Sequence, residues 1–354
     1  MGGGRRVPES PALPPPPGNG GNMKRRKVVL FGFLFLFAAS LVLAEQLAIL
    51  PDVLKVDNIF VDEDQFYITE STTIYIYSLT DFKLKKKFGK AGEGPQEFRG
   101  FAYITVQPDH LLINSVGKVS YYKKDGTFVK ELKSPGGMMN NFFFPLDKGF
   151  VGAARSVEDQ VLYVTLNAYD SNLNKGIELY RMKSPIQQTG KIELLKQAFT
   201  YRTHDNKIFV AGKEGFIIDV LDHTGKPLLS ITQKYEQREF TADDEKALRE
   251  VLKAQYRGQY EAVKDRLAFP SHYPEIQYFL IRDNKLYVAT WKREGDKVEF
   301  FIFDLQGKLL KRLFVPFVFS NPIQPYPLDI RKGKVYQVIE NEDEEWELHV
   351  NEIE

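Results

Sequence analysis

Past residue 45 the chain alternates apolar and polar positions with a period of two, using mainly aromatic and β-branched side chains and breaking at Asp, Asn and Gly. Successive side chains of a strand point to opposite faces, so this alternation predicts half-buried antiparallel strands joined by turns. A larger unit recurs: strand, tight polar turn, strand, variable turn, strand, tight glycine turn, strand, longer connection. Copies of it occupy residues 57–89, 101–135, 140–184, 199–235, 276–316 and 326–353. The pairs HDNKIFVA and RDNKLYVA, and DHTGKPLL and DLQGKLLK, are close enough to be self-similar. A four-stranded sheet cannot cover its own apolar faces, and repeats of this length stack radially, so the predicted fold is an all-β, six-bladed β-propeller.

The last copy holds only three strands, whereas EQLAIL at residues 45–50 is an apolar strand with no partner of its own. Pairing the two would close the ring and satisfy both exposed sheet edges. One stretch breaks the alternation. Residues 241–269, between the fourth and fifth copies, place Leu248, Leu252, Tyr256, Tyr260, Val263 and Leu267 at helical spacing behind Thr241 as N-cap, with Asp244 three residues on. A helical insertion bent at Gly258 is predicted, capping or bracing the ring.

Composition narrows the chemistry. At 354 residues and 43% hydrophobic, the chain can bury a large core without staples. It has no cysteine, which excludes disulfides, thiolate nucleophiles and zinc–thiolate sites. Lys plus Arg number 48 against 47 Asp plus Glu, so no long-range field favours nucleic acid or an anionic membrane. Residues 23–44 combine a basic start, an apolar run and small residues Val42 and Ala44 before Glu45, which reads as an export signal; an uncleaved anchor is the alternative. Residues 1–22 are rich in proline and glycine and unable to form a core, consistent with disorder or with a translation start at Met23. The remainder, residues 45–354, is expected in the periplasm or outside the cell.

FGKAGEGPQEFRG, residues 88–100, has the glycines of a phosphate cradle but lacks its context, because a strand and not a helix follows. The reading as an inter-blade corner explains more: Gly89, Gly92 and Gly94 turn the backbone, Pro95 stiffens it and Phe98 wedges between blades. GKAGEGPQEF resembles the inter-blade motif of NHL-type repeats, and DNIFVDEDQFYITES and DNKLYVAT resemble the inner strand pair of the same repeats. The resemblance covers residues 45–354 and implies a six-bladed propeller of the secreted bacterial kind. Two connections depart from the motif, one drifting to SPGGMMNN and the other replaced by the helical insertion.

The repeat also sorts the loops. Turns between first and second and between third and fourth strands share one face and are short; the other face receives every long connection. Long loops on a rigid scaffold carry binding, so that face and the mouth of the central channel form the candidate site. Ligand-binding candidates there are Arg99, Asn140, Asn141, Arg155, Lys213, His272, Tyr273, Trp291, Lys292, Arg293 and Tyr326. Arg155, Lys213, Lys292 and Arg293 are read in turns beside glutamates, where solvated charge is the more ordinary account, as inter-blade packing is for Trp291. His110, His204 and His223 fall in short turns on the opposite face.

No catalytic set converges. H-E-x-x-H, G-x-S-x-G and EF-hand patterns are missing, and the acidic run ENEDEEWE lacks the spacing of a calcium loop. The expected function is therefore an exported, non-catalytic propeller that binds a protein, peptide or glycan on its long-loop face, without a cofactor and without nucleic acid, meeting a membrane only through an uncleaved signal. The alternative is a calcium-dependent hydrolase or lactonase, resembling calcium-centred propeller enzymes, with Asp57, Asn58, Asn140, Asn141 and Glu275 around the channel mouth.

Overall fold

A computed structural model of the protein describes residues 45–134, 142–186 and 190–353. Among these residues, six four-stranded antiparallel sheets follow one another along the chain as blades 1 to 6. Their first strands, Asn58–Val61, Tyr103–Val106, Phe143–Leu146, Thr200–His204, Tyr278–Arg282 and Leu328–Arg331, approach one another around the axis. The fold is the predicted six-bladed propeller. Its core is a series of apolar layers between neighbouring blades, as alternating strands require. Phe98 illustrates this: fully buried, it packs with Ile74 and Ile76 of blade 1 and with Ile113 and Tyr122 of blade 2.

The glycine-rich corner explains its own composition. Gly89 has φ +85°, and a Cβ there would lie 2.5 Å from the Thr72 carbonyl oxygen and 2.8 Å from the Phe98 ring. Only glycine allows that approach. The corner is closed by its own groups, with the Gly94 N–H donating to Glu97 Oε2 at 2.9 Å and Lys118 Nζ donating to the Gly94 carbonyl at 2.7 Å.

Ring closure is made twice. At the periphery, Glu45–Ile49 pairs antiparallel with Trp346–Glu352, Ala48 opposite Leu348 and Ile49 opposite Glu347, so blade 6 gains its fourth strand from the other end of the described chain. Near the axis, Asp329 of blade 6 is 2% exposed; its Oδ2 accepts the Val61 N–H of blade 1 at 2.9 Å and its Oδ1 the Arg282 Nε–H of blade 5 at 2.9 Å. Aromatic rings on the first strands pack from blade to blade. Phe60 meets Tyr103 edge-on at 5.2 Å, and Phe144 meets Tyr201 at 5.2 Å, a geometry that aligns ring edges with ring faces.

The helical insertion forms as Ala242–Tyr256, a 3-10 turn at Arg257–Gln259 and a short helix at Tyr260–Val263. Leu248, Leu252 and Tyr260 are buried as the spacing predicts, but Tyr256 is 51% exposed. Tyr256 is the last residue of the first helix, and each i+4 step turns a side chain about 40° further round, so it has rotated off the face that Leu248 and Leu252 bury.

Candidate functional site

The two faces of the ring use their polar groups differently. On the short-turn face, Glu63 of blade 1 pairs with Arg331 and Lys332 of blade 6, and Arg331 also meets Asp283 of blade 5 at 2.8 Å. His204 of blade 4 lies 2.9 Å from Asn284 Oδ1 of blade 5, and Asn206 Oδ1 accepts the Asp147 N–H of blade 3 at 3.2 Å. Lys124 of blade 2 reaches Asp62 of blade 1 at 2.7 Å. These groups stitch blade to blade.

The long-connection face is built outward instead. Blade 3 raises a hairpin of two ten-residue strands, Gly149–Glu158 and Val161–Asp170, and blade 5 raises Lys285–Glu294 and Lys297–Asp304, where the corresponding strands of blade 1 are six residues long. The insertion supplies a second small core. Phe240, Leu248, Leu252, Tyr260, Tyr273 and Trp291 are buried together, with Leu194 and Leu195 from the connection before blade 4 and Ile323 from the connection before blade 6 packed against them. A parallel ribbon of Ile192–Glu193 and Leu267–Ala268 ties the insertion to the connection before blade 4.

Trp291 reaches this core through a bulge. The ladder of blade 5 pairs Ala289 with Phe300 and then Arg293 with Val298, so Thr290, Trp291 and Lys292 lie opposite Glu299 alone. Extra residues on one strand bend it and re-aim their side chains. The bulge is held from beneath: Thr290 Oγ1 donates to Glu299 Oε2 at 2.7 Å, and Glu299 Oε1 accepts from Arg312 Nε at 2.7 Å.

Around Trp291 gathers a cluster of guanidinium and aromatic groups. Tyr273 stacks on Trp291 with centroids 4.8 Å apart, and the Arg238 guanidinium lies 4.5 Å from the Tyr273 centroid. Asp244 Oδ1 accepts from Arg238 at 2.7 Å and from the Tyr273 hydroxyl at 2.9 Å, while its Oδ2 accepts the N–H and hydroxyl of Thr241. Burial pushes the Asp244 carboxyl upward, but the Thr241 and Tyr273 hydrogen bonds and the Arg238 charge outweigh it and hold the group below the ordinary carboxylate range. Arg293 lies flat over Phe319 at 3.6 Å and donates to the Pro322 carbonyl at 2.9 Å. Burial, and then the like charge of Arg238, lower its pKa. Lys292 sits 4.9 Å from the Tyr235 ring centroid.

Of the residues singled out from the sequence, Tyr273, Trp291, Lys292 and Arg293 come together here. Tyr273 is 3% exposed and Trp291 7%, so both are scaffolding for the cluster, where the sequence reading offered Tyr273 as an accessible contact. His272 is exposed beside them, in a 320 Å³ cleft lined also by Glu193, Lys196, Gln237, Phe269 and Ser271. The rest lie elsewhere. Arg99 pairs with Glu93, Lys213 with Asp219, and Tyr326 packs on Trp346 of blade 6. Arg155 is not in a turn: the blade 3 strands run on past it to Glu158, leaving it exposed mid-strand. Asn140 and Asn141 lie outside the described residues. Asp57 accepts the Ser71 N–H and pairs with Lys55, and Asn58 donates to Thr69. Among the described residues no group of three His, Asp or Glu side chains is placed to hold a metal ion.

Sequence reasoning missed Arg238, Asp244 as a charge partner, and Phe319. Asp244 was visible only as a helix cap. For Arg238 the one signal was its position three residues before the N-cap of the insertion, which places a cation beside the cap carboxylate.

No protein-family model matches the chain, and no curated protein matches it. Among solved structures, the chain is similar to a candidate exported protein of Bacteroides fragilis NCTC 9343, with 12% identity, a TM-score of 0.53, and 88% of this chain and 94% of that one covered. It is also matched to a member of the DUF4221 family from Bacteroides vulgatus, with 10% identity, a TM-score of 0.46, and 88% of this chain and 96% of that one covered. The first likeness bears on the fold alone; the six sheets themselves class the molecule as a six-bladed propeller, and its structural neighbours include an exported-type protein. No helix among the described residues is long and apolar enough to cross a membrane.

Proposed function

We propose that this is an exported, non-catalytic recognition propeller of the NHL-like kind, acting in the periplasm or outside the cell, whose long-connection face binds a protein, peptide or glycan. One observation carries the reading. Among the described residues, the long-connection face has a second core that presents cationic and aromatic groups, whereas Glu63, Lys124, His204, Asp283 and Arg331 on the short-turn face hold neighbouring blades together. Binding residues concentrate on elaborated loops over a rigid scaffold, and a ring closed at both periphery and axis is such a scaffold.

The test is a comparison of faces. Alanine substitutions at Lys213, His272 and Lys292 on the long-connection face are expected to weaken retention of ligands from a peptide and glycan array by tenfold or more. Substitutions at His110 and His223 on the opposite face are expected to leave retention within twofold. Equal effects from both faces, or losses confined to the short-turn face, would overturn the assignment.

A further inference from the structure

The guanidinium–aromatic cluster is unbalanced in charge. Arg238 and Arg293 are both partly buried, and one carboxylate, Asp244, serves the first of them while accepting three further hydrogen bonds from Thr241 and Tyr273. Among the described residues no acidic side chain pairs with Arg293, whose one recorded hydrogen bond goes to a carbonyl oxygen. Asp244 reaches Arg293 only through space while bonded to Arg238, and a half-buried cation so weakly compensated would be stabilised by an arriving anion.

A second polar group in the cluster is also unpartnered. The Trp291 indole is 93% buried, being 7% exposed, and its Nε1–H has no hydrogen-bond partner among the described residues. Buried donors of this kind are rare in folded proteins and each calls for an acceptor. A planar guanidinium held flat on an aromatic ring offers its remaining N–H groups in one plane, the geometry that a carboxylate matches with two parallel bonds.

The chemistry of the platform selects the partner. A sugar ring would need an open aromatic face, but Tyr273 is stacked by Trp291 and covered by Arg238, and Phe319 is faced by Arg293. Resting on the recognition reading above, the geometry points to an acidic peptide segment as the ligand, with a Glu or Asp carboxylate, or the peptide's own terminal carboxylate, seated against Arg293 beside Arg238 and Trp291.

Tryptophan emission of the full chain reports on this, since Trp291 and Trp346 are its two tryptophans. The probes are a (Glu-Gly)3 peptide with amidated terminus, its Gln counterpart, a neutral Gly-Gln peptide with a free terminal carboxylate, and tri-galacturonate. A saturable change with the Glu peptide is expected, weakened at least tenfold in Arg293→Gln, with Arg293→Lys between them; Trp291→Phe, which removes the reporter, identifies which tryptophan responds. The free-terminus peptide distinguishes terminal from side-chain carboxylates. Arg293→Gln gives up the contact with Phe319 and the hydrogen bond to Pro322, so its melting is followed alongside; should it fail to fold, Arg293→Lys carries the comparison. Equal binding of Glu and amidated Gln peptides, equal binding by Arg293→Gln and the parent, or a response to tri-galacturonate alone would overturn the inference while leaving the long-connection face as a binding surface. No response to any probe, together with unchanged retention in the face comparison, would overturn both.

Discussion

Asp244 does three jobs with two oxygens. It closes the N-terminus of the insertion helix reciprocally with Thr241, whose Oγ1 accepts the Asp244 N–H at 3.2 Å; it binds Arg238; and it accepts the Tyr273 hydroxyl. A capping box is worth about 1 kcal/mol, and a charge-assisted hydrogen bond adds about 1.5–3 kcal/mol, so Asp244→Asn is expected to cost roughly 2–3 kcal/mol in chemical denaturation. The pH dependence follows from the sign of the shift. The folded-state pKa lies below the unfolded one, so this contribution is fully present above the unfolded value and is lost as pH falls through the folded value. The gap in stability between parent and Asp244→Asn should therefore narrow as pH drops below about 4. A gap that stayed constant down to pH 2 would mean that the carboxylate charge contributes nothing.

At the scale of elements, the closing strand and the insertion are held by different forces. Glu45–Ile49 joins blade 6 through the ladder to Trp346–Glu352, and the fully buried Leu50 anchors its end by donating its N–H to the Trp346 carbonyl at 2.7 Å. Trp346 answers with its Nε1–H to the Leu54 carbonyl at 3.1 Å. Deleting residues 45–50 would expose the edge of Trp346–Glu352 and uncover Leu348; losing one buried leucine alone costs about 2–5 kcal/mol. An unfolding free energy lowered by at least that amount, with concentration-dependent aggregation from the bared edge, is the expected result. The insertion instead relies on apolar burial of Leu248, Leu252 and Tyr260, and its exposed Tyr256 shows how a run of i+4 steps drifts off the buried face by the end of the helix.

Over the whole molecule, one carboxylate links three blades. Asp329 holds blade 5 through Arg282 and blade 1 through the Val61 N–H. Removing one partner of a buried ion pair costs about 3–5 kcal/mol because the other charge is left uncompensated. Asp329→Ala is therefore expected to lower the melting temperature by several degrees without changing ligand retention on the long-connection face. A melting temperature unchanged within a degree would show that the peripheral strand closes the ring unaided.

What the sequence by itself determined is the repeating frame. Period-two alternation dictates strands, near-identical turns such as HDNK and RDNK mark equivalent corners, and the surplus strand at residues 45–50 matches the deficit in the last copy; all of these are local patterns or simple counts. The cluster at Arg238, Tyr273, Trp291, Arg293 and Phe319 was decided only by the tertiary structure. These residues come from the connection before the insertion, the return from it, the second strand of blade 5 and the connection before blade 6, and they meet because a three-against-one bulge turns Trp291 inward. Charge balance and burial depend on which distant side chains end up within a few ångströms, and no local period encodes that.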